Sequence, residues 1–273
     1  MSTRKRKVGF IGAGNMAGAL VKGVLQAGLY RSSDLWVTDP LPLQRGRMRR
    51  RYGVEAARDN RQLVRGCEIV VVAVKPQVLS DVLSDVKSEV SGAHLVVSIA
   101  AGVTLRRLEA ALGRQARVIR VMPNTPALLG KGMSVLVRGS KATANDLRTA
   151  MRLFRAVGDA IAVDDERLLD PVTGLSGSGP AYVYRFAEVL IDAGVGQALP
   201  ADVAKRLVFR TIEGAAAMLL ETGMTPKELR EMVSSPGGTT LAGLAALEGA
   251  GFGEAVNAAV SAATRRSREL AGS

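Results

Sequence analysis

The sequence predicts an α/β protein in two parts: a doubly wound sheet over residues 1–164, then an all-α domain over residues 165–273. Three observations carry this. Short Val- and Ile-rich runs alternate with helical patterns up to residue 163, and several lack polar alternation, as strands covered on both faces do. A glycine-rich turn lies directly between the first such run and the first helical pattern. After Asp164 the strand signal stops, and only helix-type apolar spacing follows.

In order, Lys7–Ile11 is the first expected strand and Met16–Ala27 the helix after it. Leu35–Thr38 leads into a helix over Leu41–Tyr52, whose Arg49-Arg50-Arg51 cluster reads as a solvated face or as an attractor of anionic cofactor and substrate. Ile69–Val74 and Leu95–Ile99 are expected strands, and Leu105–Leu112 a helix. Val118–Met122, Ser134–Val137 and Ala160–Val163 complete the strands, with a helix over Asn145–Ala156. The second part reads as helices over Pro180–Ala193, Pro200–Glu221, Thr225–Val233, Thr239–Glu248 and Gly253–Glu269. Tyr182, Phe186, Val189 and Ala193, and the Ala-rich run 214–220, leave these helices apolar on more than one face. Such faces need cover from other helices, a second subunit's included.

Composition excludes several classes. No apolar stretch approaches the roughly 20 residues that cross a bilayer, so no membrane association is expected. The polar, basic start from Met1 to Lys7 runs straight into a strand, so no secretory leader is expected. Cys67 is the only cysteine and His94 the only histidine, which removes disulfides, Cys/His metal sites and a His-dependent nucleophilic triad, and fits a cytoplasmic setting. The net charge is +12, but the basic residues are dispersed and only 4% of residues are aromatic, so nucleic acid is not an expected partner.

Gly12-Ala13-Gly14-Asn15-Met16-Ala17 opens the first helix as Gly-x-Gly-x-x-Ala. Gly12 permits the tight turn, Gly14 lets backbone approach a pyrophosphate, and Ala17 lets helix and strand pack closely. Asp39 follows the second expected strand, where an acid hydrogen-bonds the ribose hydroxyls of NADH; nearby Arg45 would instead accommodate NADPH. Ala73-Val74-Lys75-Pro76, Ser98-Ile99-Ala100-Ala101-Gly102 and Arg120-Val121-Met122-Pro123-Asn124-Thr125-Pro126 each end a strand, on the rim where open α/β sheets bind ligands. Far along the chain, Ser234-Ser235-Pro236-Gly237-Gly238-Thr239-Thr240 precedes an apolar helical pattern. Glycines, hydroxyls and a helix start together suit a small anion such as a carboxylate, although a loop with an N-cap Thr has the same composition.

Phe10–Met16, Ala73–Gln77, Met122–Pro126, Gly174-Leu175-Ser176-Gly177-Ser178-Gly179-Pro180-Ala181-Tyr182 and Ser234–Thr240 together resemble pyrroline-5-carboxylate reductases, in order and over nearly the whole chain. The resemblance implies reduction of 1-pyrroline-5-carboxylate to L-proline by NADPH or NADH, the last step of proline biosynthesis. It implies a Rossmann domain and a helical domain that interlocks into homodimers, which often assemble into decamers. Carried over, Ile11, Gly12, Ala13, Gly14, Asn15 and Met16 hold the pyrophosphate, Asn60 contacts the cofactor, and Val74, Lys75 and Pro76 flank the nicotinamide, with Ala100, Ala101 and Gly102 on the same rim. Glu166, Ser235, Gly237, Gly238, Thr239 and Thr240 are the substrate residues implied. Two positions depart. Asp39 stands where NADPH-using members often carry a small hydroxyl residue, and Met232 where some members have Asn.

The chemistry asks little of side chains. A protonated cyclic imine is already electrophilic, so holding its C5 against the nicotinamide and excluding water supply most of the acceleration. Thr240 is the candidate for holding or relaying the ring-nitrogen proton, and the amides of Gly237, Gly238 and Thr239 for the carboxylate. β-Hydroxyacid dehydrogenases share the two-part plan and a glycine run like Gly174, Gly177, Gly179. Val183 and Ala187 stand where those enzymes place a Lys and an Asn, and Val cannot accept a proton. A non-enzymatic dinucleotide sensor is disfavoured by the intact Ser234–Thr240 run.

Overall fold

The structure is a computed structural model and describes residues 6–113 and 115–272. The start of the basic run that opens at Arg4 lies outside the described residues. The chain divides into two compact units, Met1–Ser178 with Ala262–Ser273, and Gly179–Ser261.

The first unit is built on an eight-stranded sheet. Its strands are β1 (Val8–Ile11), β2 (Leu35–Thr38), β3 (Glu55–Ala56), β4 (Ile69–Val72), β5 (Leu95–Ser98), β6 (Arg117–Pro123), β7 (Gly132–Arg138) and β8 (Gly158–Val163). Helices α1 (Asn15–Gln26), α2 (Pro42–Tyr52), α3 (Asn60–Gly66), α4 (Pro76–Val86), α5 (Leu105–Leu112) and α6 (Ala144–Arg155) lie between them. The strand order is β3-β2-β1-β4-β5-β6-β7-β8, so the order reverses beside β1, where ligands bind in such sheets. Every pairing is parallel except β6 with β7. The link between those two is a 3-10 turn, Thr125–Leu129, too short for the crossover a parallel return requires.

The apolar strands face two cores. Val8, Phe10, Ile69 and Val71 point to one core with Leu20, Val24 and Phe154, whereas Ile11, Val70 and Val72 point to the other with Leu63, Leu79, Leu83 and Leu108. Both faces are covered, which explains runs without polar alternation. The unit extends past the 164/165 junction expected from sequence. Leu169, in the short helix α7 (Leu169–Val172), is fully buried in the second core, and Ser267 Oγ donates to Asp170 Oδ1 at 2.7 Å.

The second unit holds α8 (Gly179–Gly196), α9 (Ala201–Glu221), α10 (Pro226–Met232), α11 (Thr239–Gly249) and the first part of α12 (Phe252–Gly272). Phe186 and Phe252 stack at 6.4 Å between ring centres, and Tyr182 Oη donates to the Ala259 carbonyl at 3.4 Å. Of residues 179–261 only Ala187 and Ala204 are buried. No helix among the described residues is long and apolar enough to cross a membrane.

Candidate active site

The glycine loop sits at the carboxyl end of β1. Gly12 has φ +100°, and a Cβ there would lie 2.5 Å from the Ala73 carbonyl oxygen and 3.2 Å from Val74 Cγ1. The loop therefore runs against the end of β4, which brings Gly12 and Val74 together. Gly12 N–H donates to Thr38 O at 2.8 Å, and Ala73 N–H to Ile11 O at 2.8 Å. Gly14 is the N-cap of α1 without a side-chain cap, and nothing lies within 4 Å of the Cβ it lacks. The first-turn amides of α1 thus meet an open approach, the arrangement a pyrophosphate fits. Ile11 and Ala13 turn buried side chains inward, so their side chains do not face a ligand; Asn15 is exposed. An open cleft of about 280 Å³ beside Gly14 and Asn15 is lined by Lys22, Arg47 and Arg51, so the basic face of α2 borders the loop.

Asp39, just after β2, accepts from Ala13 N–H at 2.9 Å through Oδ2 and from Leu41 N–H at 2.9 Å through Oδ1. Arg45 Nη1 donates to the Asp39 carbonyl at 2.5 Å. Asn60 begins α3, and its Nδ2 donates to Asp85 Oδ2 at 3.1 Å. Lys75 and Pro76 are exposed at the start of α4, where Lys75 is the N-cap. Ala100 and Gly102 are buried just beyond β5, and Gly102, at φ +71°, packs against Leu270.

Glu166 is already engaged. Its Oε1 accepts from Arg120 Nη1 and from Leu105 N–H, both at 2.6 Å, so it neutralises a buried cation on β6 and caps the start of α5. The sequence alone shows no sign of that pair. Nor did it assign a role to Asn124, whose Nδ2 donates to Ser176 O and Oγ at 3.3 and 3.2 Å while Oδ1 accepts Met133 N–H at 2.8 Å. One side chain thus ties the end of β6 to the π-helical turn Thr173–Gly177. The single thiol is chemically quiet, because burial, with Glu68 nearby, pushes Cys67 up to about 12.

In the helical unit, Ser235–Gly238 forms a tight turn before α11. Gly238 N–H donates to Ser235 O at 2.9 Å, and a Cβ on Gly238 would lie 2.4 Å from Ser235 Oγ. That bond corrects one expectation: the Gly238 amide closes the turn and is not the free donor foreseen for a carboxylate. The cap also differs from an N-cap Thr. Gly238 is the N-cap without any side-chain cap, and Thr239 and Thr240 are the first two helical residues. The amides of Thr239, Thr240 and Leu241 therefore open the helix as unpaired donors.

A glycine loop opening a helix at the switch point of a doubly wound sheet defines a dinucleotide-binding protein of Rossmann type. The chain belongs to the pyrroline-5-carboxylate reductase family. A relative of that name from Methanosarcina acetivorans is 44% identical over 265 residues, 97% of this chain and 98% of its own. Residues 166–270 match the family described as pyrroline-5-carboxylate reductase dimerisation, and residues 7–102 the one described as NADP oxidoreductase, coenzyme F420-dependent. The solved pyrroline-5-carboxylate reductase of Coxiella burnetii superposes with a TM-score of 0.93 at 35% identity, covering 98% of this chain and 99% of that one. The Plasmodium falciparum enzyme, solved with NADP bound, gives 0.87 at 32% identity, covering 99% and 100%.

Proposed function

We propose that this chain reduces 1-pyrroline-5-carboxylate to L-proline with a hydride from NADPH or NADH, the last step of proline biosynthesis. The observation that carries this is the end-to-end match to a relative named for the reaction, at 44% identity. The sheet unit, Met1–Ser178 with Ala262–Ser273, serves as the dinucleotide domain, and the helical unit, Gly179–Ser261, serves substrate binding and dimerisation, in a cytosolic homodimer that can assemble further.

The bound nicotinamide supplies the hydride that the imine carbon accepts. Everything else asked of the protein is placement. The uncapped start of α1, from Gly14 onward, holds the pyrophosphate, the Gly12 and Ala13 amides bracing the loop on Thr38 and Asp39, with Val74, Lys75, Pro76 and the Ala100–Gly102 rim on the nicotinamide side. The amides of Thr239, Thr240 and Leu241, behind the Ser235–Gly238 turn, hold the substrate carboxylate at the positive end of α11. The Thr240 hydroxyl holds the proton at the ring nitrogen, so the imine carbon is electrophilic as the hydride arrives.

Nicotinamide absorbance followed with 1-pyrroline-5-carboxylate tests the reading directly. Consumption of the dinucleotide with matching L-proline formation is expected. No turnover with either NADPH or NADH would overturn it.

A further inference from the structure

Asp39 holds the position where a carboxylate ordinarily reads the adenosine ribose and excludes a 2′-phosphate. In this chain its hydrogen bonds run elsewhere. Oδ2 accepts the Ala13 N–H, 26 residues back in the glycine loop, and Oδ1 accepts the Leu41 N–H. Ala13 is fully buried between Gly12 and Gly14, and a buried amide needs a partner. Among the described hydrogen bonds, the Asp39 carboxylate is the acceptor for that amide. Arg45 reaches back from α2 to the Asp39 carbonyl and fixes the same corner.

We infer that Asp39 is a positioning residue for the dinucleotide: its carboxylate sets the path of the Gly12–Gly14 loop and does not select between NADH and NADPH. The inference rests on the dinucleotide site proposed above. NADH and NADPH share the pyrophosphate that this loop would hold and differ only at the ribose 2′ position. Loosening the loop therefore weakens both alike, whereas removing a selecting charge would favour NADPH alone.

Two substitutions separate these effects. Asp39→Asn removes the charge and keeps an oxygen for the Ala13 amide; Asp39→Ala removes both. Equilibrium binding of NADPH and of NADH, by quenching of protein fluorescence or calorimetry without substrate, is the readout, with thermal melting to verify folding. Asp39→Ala should weaken both dinucleotides by about tenfold, as loss of a charge-assisted hydrogen bond does, with the ratio of the two affinities kept within about threefold. Asp39→Asn should bind both within about threefold of the native chain, because the loop contact survives. A tenfold or larger rise in NADPH over NADH preference in Asp39→Asn, or native affinities for both in Asp39→Ala, would overturn the inference. Should Asp39→Ala not fold, the ratio in Asp39→Asn decides. A native chain that binds neither dinucleotide would instead remove the cofactor reading, and this inference with it.

Discussion

Thr240 and Glu166 are both candidate substrate residues, yet their surroundings assign them different duties. Thr240 is the second residue of α11 and, among the described residues, no other side chain depends on its hydroxyl, so its loss should be read in chemistry alone. Thr240→Ala should lower kcat by about 10- to 100-fold while dinucleotide binding is unchanged, and Thr240→Ser should restore most of the rate, if the hydroxyl holds the proton. Steady-state kinetics beside equilibrium dinucleotide binding check this; unchanged kcat in the Ala variant would leave the residue a helix-start position only. Glu166, by contrast, compensates buried Arg120. Glu166→Ala leaves that cation unpaired in the protein interior and should cost about 3 kcal/mol of stability, visible as a lowered thermal midpoint. The partners of Glu166 lie 46 and 61 residues away, which is why no local pattern revealed the pair. The glycine loop was legible for the opposite reason. Its constraints are local, a turn at Gly12 and an approach at Gly14, and residue type records both.

At the scale of elements, legibility followed length and burial. β2 and α5 occupy the residues expected of them, because each is bounded by a clear change of pattern. β3, with two exposed residues, is too short to carry any period, and α3, with seven, shows barely two turns. The strand rim around Pro76 drew attention to a turn and hid α4, which the proline begins as a first-turn residue. α6 offers a measurable case of element-level chemistry. Its N-terminus is closed by a capping box in which Thr143 and Asp146 exchange bonds, and Arg117 Nη1 donates to Asp146 Oδ1 at 2.7 Å. Burial alone would raise the Asp146 carboxyl, but the Thr143 amide and hydroxyl and Arg117 outweigh it and hold the group below its ordinary 3.8. A depressed carboxyl stabilises the fold above the unfolded-state value and loses that contribution as pH falls through the folded one. The native chain should therefore lose stability below about pH 4, and Asp146→Asn should lower the thermal midpoint at pH 7 while flattening its decline in acid. Melting curves between about pH 7 and pH 2 test this; equal acid slopes in both proteins would discard it.

For the whole molecule, the contrast between the two units carries the argument. The sheet unit buries its apolar strands on both faces, whereas the helical unit leaves Phe186, Val189, Leu207, Phe209 and Leu220 exposed by 40, 47, 53, 51 and 84%. An apolar groove between α8 and α12, walled by Phe186, Val189, Leu190 and Phe252, adds to that surface. Side chains of this size left about half in water forfeit about 1 kcal/mol each relative to full burial, so the helices call for a covering surface. In the proposed homodimer that surface is a second copy of the same helices, a reading supported by the match of residues 166–270 to a dimerisation family. Sedimentation equilibrium should accordingly give a mass of two chains or a multiple of two, against 28.7 kDa for one. Val189→Asp places a charge on the groove wall, where burial against a partner would desolvate it. That variant should shift toward the monomer and melt at a lower, concentration-dependent temperature, because an assembly's stability depends on the concentration of its chains. A native chain sedimenting as a monomer at micromolar concentration would mean that the exposed helical faces are covered by something other than a second copy.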